Sequence, residues 1–306
     1  MKQKLIQEIQ HIPEVLSFFG FDKSVGVTPV KDGIANHNYT VKTPKGEYVV
    51  RFLISQKTET IKNDVAIQKQ MKNSGISVPE YIQNKDGLYA FTKNNINAVI
   101  SKKIEGDIPR TVNRTLAFGI GQSLAMFHNL VTWLPHKNTN GLLNPKASGI
   151  YSDIFSHTLP KGIIHGDFHS GNILVETSDH DHIVAILDFE ESGENLYLID
   201  LSTSIMAVCS STDENALDLD LINSVINGYE SVRKLTDEEM ALFPEAIKYS
   251  AESWIKWFNE NSYPKYAEKH KKRLNSFNQL VSTHHNFWQA DDWRQLPSFI
   301  GVVSVK

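Results

Sequence analysis

The most informative part of this chain is His165-Gly166-Asp167-Phe168-His169-Ser170-Gly171-Asn172, followed sixteen residues after Asn172 by Asp188-Phe189-Glu190. Between these stretches, the apolar runs Ile173-Leu174-Val175 and Ile183-Val184-Ala185-Ile186-Leu187 lie on either side of a polar segment. Short apolar runs rich in β-branched residues, joined by a polar turn, are typical of a β-hairpin. The sequence therefore predicts a hairpin whose open end carries Asn172 and Asp188 side by side.

These residue types suit a site that transfers phosphate. An Asn and an Asp held together can share a Mg²⁺ ion, because amide and carboxylate oxygens are ligands for that cation. Asp167 lies just upstream in a loop, where it can face an acceptor hydroxyl. Protein kinases divide the work in this way, with a loop Asp near the nucleophile and an Asn and a second Asp on the metal ions.

Each residue also has an ordinary structural interpretation. An Asp in a glycine-containing turn often bonds its own backbone, and an Asn at the start of a strand is commonly a cap or turn residue. The tripeptide Asp188-Phe189-Glu190 alone occurs by chance in many proteins. The order and spacing of the three elements together favour the functional interpretation.

The same residues resemble the aminoglycoside phosphotransferase, choline kinase and homoserine kinase type II superfamily. Residues 165–172 match its catalytic-loop motif, His-Gly-Asp-x-x-x-x-Asn, and residues 187–190 match its metal motif, (Ile/Leu)-Asp-(Phe/Trp)-Glu. Asp200-Leu201 matches the Asp-Leu that buttresses the catalytic loop in that family. Segments 33–41 and 228–236 are most similar to the homoserine kinase branch, and the resemblance extends over about residues 25 to 260.

The resemblance implies an α+β, protein-kinase-like fold of two lobes. A small β-rich nucleotide-binding lobe with one main helix is expected over residues 1–100, and a linker over 101–106. A larger, mostly helical catalytic lobe that carries the hairpin is expected over 107–306. Within the small lobe, we expect a helix from Lys2 to Ile12 that stops at Pro13, and a helix from about 58 to 73 that ends near Gly75, with strands between and after them.

The resemblance also implies a role for each candidate residue. Asp167 is the catalytic residue, Asn172 and Asp188 hold Mg²⁺, and Arg51, braced by Asp64, fixes the phosphates of ATP, with GTP as a possible alternative. The other expected nucleotide contacts are Gly33, Asn36, Asn38, Ser101 and Lys103. His169, Glu190 and Glu252 are candidate substrate residues, and His165 and Asp200 are candidate structural supports.

Two departures from the family pattern concern the phosphate-binding residues, and a third bears on the acceptor. Arg51 replaces the usual Lys, and its guanidinium is well suited to bind phosphate. Asp64 replaces the usual Glu. The helix around Glu252 and Trp257 lacks the arginines expected of a homoserine kinase, and Glu252 would more naturally meet an ammonium. The leading acceptor is a homoserine-like amino alcohol, and the alternative is an aminoglycoside or a choline-like cation.

Two other classes of function remain open. A kinase-shaped protein can bind nucleotide without catalysis, although the presence of Asp167, Asn172 and Asp188 argues against this. His165 and His169 could bind Zn²⁺ in a hydrolase, but the glycine-containing turn between them disfavours the helix that His-x-x-x-His requires. Neither a P-loop motif nor a Gly-x-Gly-x-x-Gly motif is present.

Composition excludes several partners. The 306-residue chain has 31 basic and 35 acidic residues without a Lys/Arg stripe, so nucleic acid is not an expected ligand. The run Lys269–Arg273 is expected on a solvated helix face. No secretory core and no run of ~20 apolar residues is present, and the single Cys209 predicts a buried thiol. We therefore expect a cytoplasmic protein with a small-molecule acceptor, no membrane partner and no oligomeric state specified by sequence.

Overall fold

The N-terminal part of the protein is built on a five-stranded antiparallel sheet with strand order β1-β2-β3-β5-β4. The computed structural model describes residues 2–30, 36–137, 143–211 and 215–283. The strands are β1 (Gly26–Pro29), β2 (His37–Thr43), β3 (Gly46–Phe52), β4 (Phe91–Lys93) and β5 (Ile96–Lys102). Arg51 in β3 lies opposite Asn38 in β2 and Val99 in β5, so these positions form one row across the sheet.

Helix α1 (Lys2–Phe18) does not end at Pro13, which lies inside it. The prediction of a stop there was wrong. A proline removes one helical hydrogen bond and costs about 3 kcal/mol in a helix interior. Ile12, Val15 and Leu16 are fully buried against the sheet, and burying three such side chains contributes more than that, at about 1.5–3 kcal/mol each.

Helix α2 (Ile61–Met71) follows a short 3₁₀ turn at Thr58–Thr60, and Gly75 beyond it has φ +83°. The predicted helix and its glycine stop are confirmed. Ile61 and Val65 pack in a small cluster beside the sheet, whereas Ile67 and Met71 belong to the large C-terminal core. Helix α2 therefore joins the two halves of the molecule.

The C-terminal part is mostly helical, as predicted. Its helices are α3 (Arg114–Leu130), α4 (Pro145–Ser148), α5 (Tyr197–Val208), α6 (Leu219–Glu230), α7 (Asp237–Ala241), α8 (Phe243–Glu260) and α9 (Pro264–Thr283). Asn113 caps α3 by accepting from the backbone N–H of Leu116, as N-cap residues commonly do. Cys209 is fully buried in the core between these helices, so the predicted buried thiol is confirmed.

The predicted hairpin is confirmed as β7 (Ile173–Val175) and β8 (Ile183–Ile186). Its register pairs Ile173 with Ile186, and the N–H of Leu187 donates to the carbonyl of Asn172 at 2.8 Å. Asn172 is thus opposite Leu187, one position before the predicted Asp188. A second ladder, β6 (Lys161–Ile164) with β9 (Gly193–Leu196), leads into and out of the motif segments.

The sheet and the helices have separate apolar cores. One buried cluster joins α1 to the sheet, and a larger one fills the helical part. Strand β5 continues through Lys102, so the proposed linker at 101–106 begins within regular structure. In the described ranges, no helix combines the length and apolar character needed to cross a membrane.

Candidate active site

Asp167 lies in the loop between β6 and the hairpin and points its carboxylate into a cleft of about 1320 Å³. The side-chain amide of Asn172 donates to the Asp167 carboxylate at 3.0 Å and to its backbone carbonyl at 2.9 Å. Because the amide nitrogen of Asn172 is committed to Asp167, the amide oxygen is the atom that remains to bind a cation. Asn172 therefore connects the Asp167 carboxylate to the position expected for the metal.

The backbone of the loop is held from below by Asp200, which is fully buried. Its carboxylate accepts from the N–H groups of His165 at 2.7 Å and Gly166 at 2.9 Å, and from His128 Nε2 at 2.9 Å. Burial raises the pKa of Asp200, but the bond from His128 outweighs it and holds that pKa below its usual range. Gly166 has φ +85°, and a Cβ there would lie 2.6 Å from the carbonyl oxygen of Glu191, so this turn requires glycine.

His165 has a structural environment. Its ring is fully buried among aromatic side chains, with Nε2 donating to the carbonyl of Leu187 at 3.0 Å and Nδ1 accepting from the N–H of Asp167 at 3.3 Å. Burial lowers the pKa of His165, which favours the neutral ring that these two bonds require. His165 thereby connects the loop to the end of the hairpin, in keeping with the supporting role proposed for it.

His169 lies at the mouth of the cleft, with Nε2 3.5 Å from the Asp167 carboxylate. Burial lowers the pKa of His169, but the charge of Asp167 and a hydrogen bond to it outweigh that effect and raise the pKa above its ordinary value. The ring of His169 therefore gains a proton beside Asp167 more readily than a free imidazole would.

Asp188 and Glu190 face the cleft from the segment after the hairpin, and both bind the guanidinium of Arg51. Arg51 Nη2 donates to Asp188 Oδ1 at 2.8 Å and to Glu190 Oε2 at 3.0 Å. Burial raises the pKa of Asp188, but Arg51 outweighs it and lowers that pKa, whereas burial and the charge of Asp188 raise the pKa of Glu190. Asp188 has φ +62°, an uncommon conformation for a non-glycine residue that directs its carboxylate toward β3.

Asp64 does not form the predicted ion pair with Arg51. It accepts instead from Gln56 Nε2, at 3.0 and 3.1 Å, and from the hydroxyl of Tyr81 at 3.0 Å. Burial raises the pKa of Asp64 to about 6, even though Arg51 is near enough to lower it. Asp188 and Glu190 bind the guanidinium of Arg51 instead. They approach it from the cleft, whereas Asp64 lies on helix α2.

The other predicted nucleotide residues differ in their surroundings. Asn38, Ser101 and Lys103 line the cleft, and Lys103 Nζ also pairs with Glu47 at 3.1 Å. Asn36 lines it too, but its amide accepts from the N–H of Ile54 and donates to Glu190, so it bonds protein groups. Gly33 lies outside the described residues.

Sequence reasoning missed a wall of the cleft formed by α8 and α9. Its members are aromatic or basic, and they are Trp254, Trp257, Phe258, Tyr266, Lys269, His270 and Arg273. The stretch 269–273 was expected on a solvated face, yet His270 and Arg273 are only 8% and 7% exposed. Their spacing of three residues, with Tyr266 four residues before His270, was the available signal, since such positions share one helix face.

Glu252 is not part of this wall. Trp254, Trp257 and Phe258 line the cleft from α8, whereas Glu252 is absent from its lining. Residues two apart on a helix point about 200° apart, so Trp254 and Glu252 face nearly opposite ways. The structure therefore gives no support to Glu252 as a ligand for an ammonium.

The cleft fits a divalent cation held together with phosphate. The guanidinium of Arg51 bridges Asp188 and Glu190, so these two carboxylates lie close enough together to share one positive charge. Asn172 supplies an amide oxygen beside it, and such oxygen donors suit Mg²⁺, which usually takes one or two carboxylates together with substrate phosphates.

Comparisons with known proteins agree with this geometry. A family model described as a phosphotransferase enzyme family matches residues 142–235, which include the catalytic loop and the hairpin. A homoserine kinase of Neisseria meningitidis serogroup B is 24% identical over 277 residues, covering 83% of this chain and 89% of that protein.

Two solved structures share the fold. A microcompartment-associated aminopropanol kinase has a TM-score of 0.69 at 16% identity, covering 90% of this chain and 98% of that one. An amicoumacin kinase in complex with AMP-PNP, Ca²⁺ and Ami has a TM-score of 0.67 at 17% identity, covering 92% of this chain and 100% of that one. The chain is therefore similar to this phosphotransferase family over residues 142–235, and it is a phosphotransferase with the protein-kinase-like fold.

Proposed function

We propose that this protein is an ATP- and Mg²⁺-dependent kinase that phosphorylates the hydroxyl of a small, homoserine-like amino alcohol. The observation that carries the proposal is the catalytic loop. Asp167 faces a cleft while Asn172 holds its carboxylate and Asp200 holds its backbone. Phosphoryl transfer depends mainly on positioning and charge neutralisation, so a short, rigid set of residues is sufficient.

Each residue has a distinct part in the reaction. Asp167 accepts a hydrogen bond from the acceptor hydroxyl and aligns its oxygen for in-line attack on the γ-phosphorus. Asp188 and the amide oxygen of Asn172 would hold Mg²⁺, which supplies charge neutralisation to the phosphates. Arg51 releases the acids and binds phosphate oxygens, for which a guanidinium is well suited.

The α8–α9 wall supports an acceptor that carries a carboxylate. Lys269 and Arg273 bring positive charge to the cleft, where a carboxylate of the acceptor can bind. The missing arginines of α8 are thus replaced by basic side chains one helix later in the chain. The homoserine kinases among the relatives support the same class of acceptor.

A second candidate is a cationic acceptor without a carboxylate, such as an aminoglycoside or a choline-like amine. Trp254, Trp257 and Tyr266 present aromatic faces and edges to the cleft, and Asp218 lies on its wall. Ammonium groups bind well over aromatic rings and beside carboxylates. Lys269 and Arg273, which line the cleft from α9, favour the carboxylated acceptor over a cationic one.

The test is phosphate transfer from ATP and from GTP, with Mg²⁺, to homoserine, 1-amino-3-propanol, choline-like amines, aminoglycosides and macrolides. We expect turnover on homoserine or a close analogue, and Asp167→Asn should lower kcat by about 10²- to 10⁴-fold. Asp179→Asn, an exposed Asp in the hairpin turn, is the matched control and should leave kcat unchanged. Turnover that survives Asp167→Asn would refute the catalytic assignment, and nucleotide binding without transfer to any acceptor would favour a non-catalytic protein.

A further inference from the structure

A buried series of hydrogen bonds connects the catalytic loop to the turn between α6 and α7, far along the sequence from it. The participating side chains are Asp200, His128, Tyr229, Arg233 and Glu239. No residue of 228–236 lines the cleft. The segment that most resembles homoserine kinases in the C-terminal half therefore has no contact through which it could bind substrate directly.

The first step is the bond between His128 and Asp200. Both side chains are fully buried, and His128 Nε2 lies 2.9 Å from the carboxylate that holds the catalytic loop. Burial lowers the pKa of His128, which favours a neutral ring with one proton. A carboxylate only accepts, so this proton must be on Nε2 for the bond to exist.

The second step fixes that proton. Nδ1 of His128 lies 2.8 Å from the hydroxyl of Tyr229. Arg233 Nη1 donates to the same hydroxyl oxygen at 3.2 Å. Since Arg233 can only donate, the Tyr229 oxygen accepts from it, and its own proton is directed at His128 Nδ1. All donors then point the same way, from Arg233 through Tyr229 and His128 to Asp200.

The third step anchors Arg233. Its Nη2 donates to Glu239 Oε1 at 2.9 Å, and its guanidinium lies 4.9 Å from the centre of the Tyr197 ring. Glu239 is fully buried and forms a capping box with Thr236 at the start of α7, with the Thr236 N–H donating to Glu239 at 2.9 Å. The orientation of Arg233 is therefore set by α7.

We propose that Tyr229, Arg233 and Glu239 are positioning residues for catalysis, because they fix the His128 tautomer and so the orientation of Asp200 and of the Asp167 loop. This inference rests on the proposed phosphotransfer function. It gives the 228–236 segment a role in the placement of the catalytic Asp rather than in acceptor recognition.

The test compares Tyr229→Phe with Tyr249→Phe. Tyr249 is also buried in the helical core, and its hydroxyl donates to the carbonyl of Leu143 at 3.0 Å, away from the catalytic loop. We expect similar losses of Tm in the two variants. Only Tyr229→Phe should lower kcat, by roughly 10- to 100-fold as for a slightly misplaced catalytic group, with the KM values for nucleotide and acceptor unchanged.

Measuring Tyr229→Phe in a second protein, the His128→Gln variant, separates an effect on positioning from a general loss of stability. In His128→Gln, the amide nitrogen can still donate to Asp200 and no tautomer has to be selected. Adding Tyr229→Phe to His128→Gln should therefore give little further loss of kcat. Equal losses of kcat in the two backgrounds, or equal kcat in Tyr229→Phe and Tyr249→Phe, would overturn the inference while leaving the proposed function standing.

Nitrogen NMR of the histidine rings needs no substrate, so it decides the inference even if no acceptor is phosphorylated. We expect His128 in the wild-type protein to carry its proton on Nε2 alone. Tyr229→Phe should shift proton occupancy toward Nδ1 or mix the tautomers, and Tyr249→Phe should not. An unchanged Nε2 tautomer in Tyr229→Phe would overturn the proposal.

Discussion

Arg51 pairs with the two acidic residues that follow the hairpin in the candidate active site. Its guanidinium contacts Asp188 and Glu190, the carboxylates at the proposed cation position. A divalent cation and a guanidinium cannot both occupy that position, because their charges repel. If metal binds there as proposed, Arg51 would have to move, and phosphate oxygens would offer it an alternative partner.

We expect Arg51→Met to bind Mn²⁺ more tightly than the wild-type protein when no nucleotide is present, by about tenfold or more, since loss of one nearby charge changes such binding by at least ~1.4 kcal/mol. The same variant should bind ATP more weakly. Electron paramagnetic resonance of Mn²⁺ measures the first effect. Lys42→Met, at an exposed lysine on β2, is the control; equal Mn²⁺ affinity in Arg51→Met and wild type would contradict the prediction.

Asp64 gives stability a particular dependence on pH. Burial raises its pKa to about 6 in the folded protein, whereas an unfolded Asp titrates near ~3.9. The folded state thus binds the extra proton between these values, so the contribution of Asp64 to stability is present below the unfolded pKa and is lost as the pH rises to about 6. Asp64→Asn should remove a decline on the order of 2 kcal/mol over that window.

Denaturant unfolding of wild type and Asp64→Asn at several pH values between the two pKa values checks this expectation. Asn can still accept from Tyr81, so the variant should fold. Asp86→Asn, in an exposed turn, is the control. The prediction is wrong if the difference in unfolding free energy between Asp64→Asn and wild type does not change with pH.

At the scale of elements, helices α3 and α6 cross at two glycines. A Cβ on Gly121 would lie 1.9 Å from the carbonyl oxygen of Val225, and a Cβ on Gly228 would lie 1.9 Å from that of Phe118. The backbones therefore touch, and this contact places His128 of α3 next to Tyr229 of α6. The crossing is a precondition of the buried hydrogen bonds below the catalytic loop.

Gly228→Ala should destabilise the protein by about 3 kcal/mol or more, at the upper end for overpacking, because the obstructing atom belongs to the backbone. Gly119→Ala is the matched control in α3, since the atom nearest to its Cβ would be a side-chain carbon of Ile183 at 3.5 Å, an ordinary contact. That control should be neutral or stabilising by up to about 1 kcal/mol, as Ala is the better helix former. Thermal unfolding distinguishes them, and similar Tm values for both variants would refute the close-packed crossing.

Local patterns predicted the elements better than the contacts between them. The hairpin from Ile173 to Ile186 followed from its apolar runs, and the Gly75 stop followed from glycine's tolerance of positive φ. Pro13 misled because burial against the sheet outweighed its local cost. The partners of Arg51 were not predictable, because Asp64 and Glu190 are separated in sequence by more than a hundred residues and only the assembled fold sets their competition.

At the scale of the whole molecule, the cleft lies between the sheet and the helical core. Arg51 and Asn38 reach it from the sheet, Asp167 and Asp188 from the catalytic segments, and Trp257 from α8. The proposed nucleotide contacts and the proposed acceptor contacts thus come from opposite ends of the chain. Substitutions in α8 and α9 should accordingly change acceptor kinetics and leave the KM for ATP unchanged.

Substitution of Lys269 gives the most specific test of this expectation for acceptor kinetics. It lines the cleft on α9, whereas Lys271 two residues later is exposed and does not. If Lys269 attracts an acceptor carboxylate, Lys269→Met should lower kcat/KM for homoserine by about tenfold, the worth of one partly exposed charged contact of ~1.4 kcal/mol. The kcat/KM for 1-amino-3-propanol, which has no carboxylate, should stay constant or rise. Lys271→Met should alter neither value. Steady-state kinetics would contradict the assignment if Lys269→Met lowered kcat/KM equally for homoserine and for 1-amino-3-propanol.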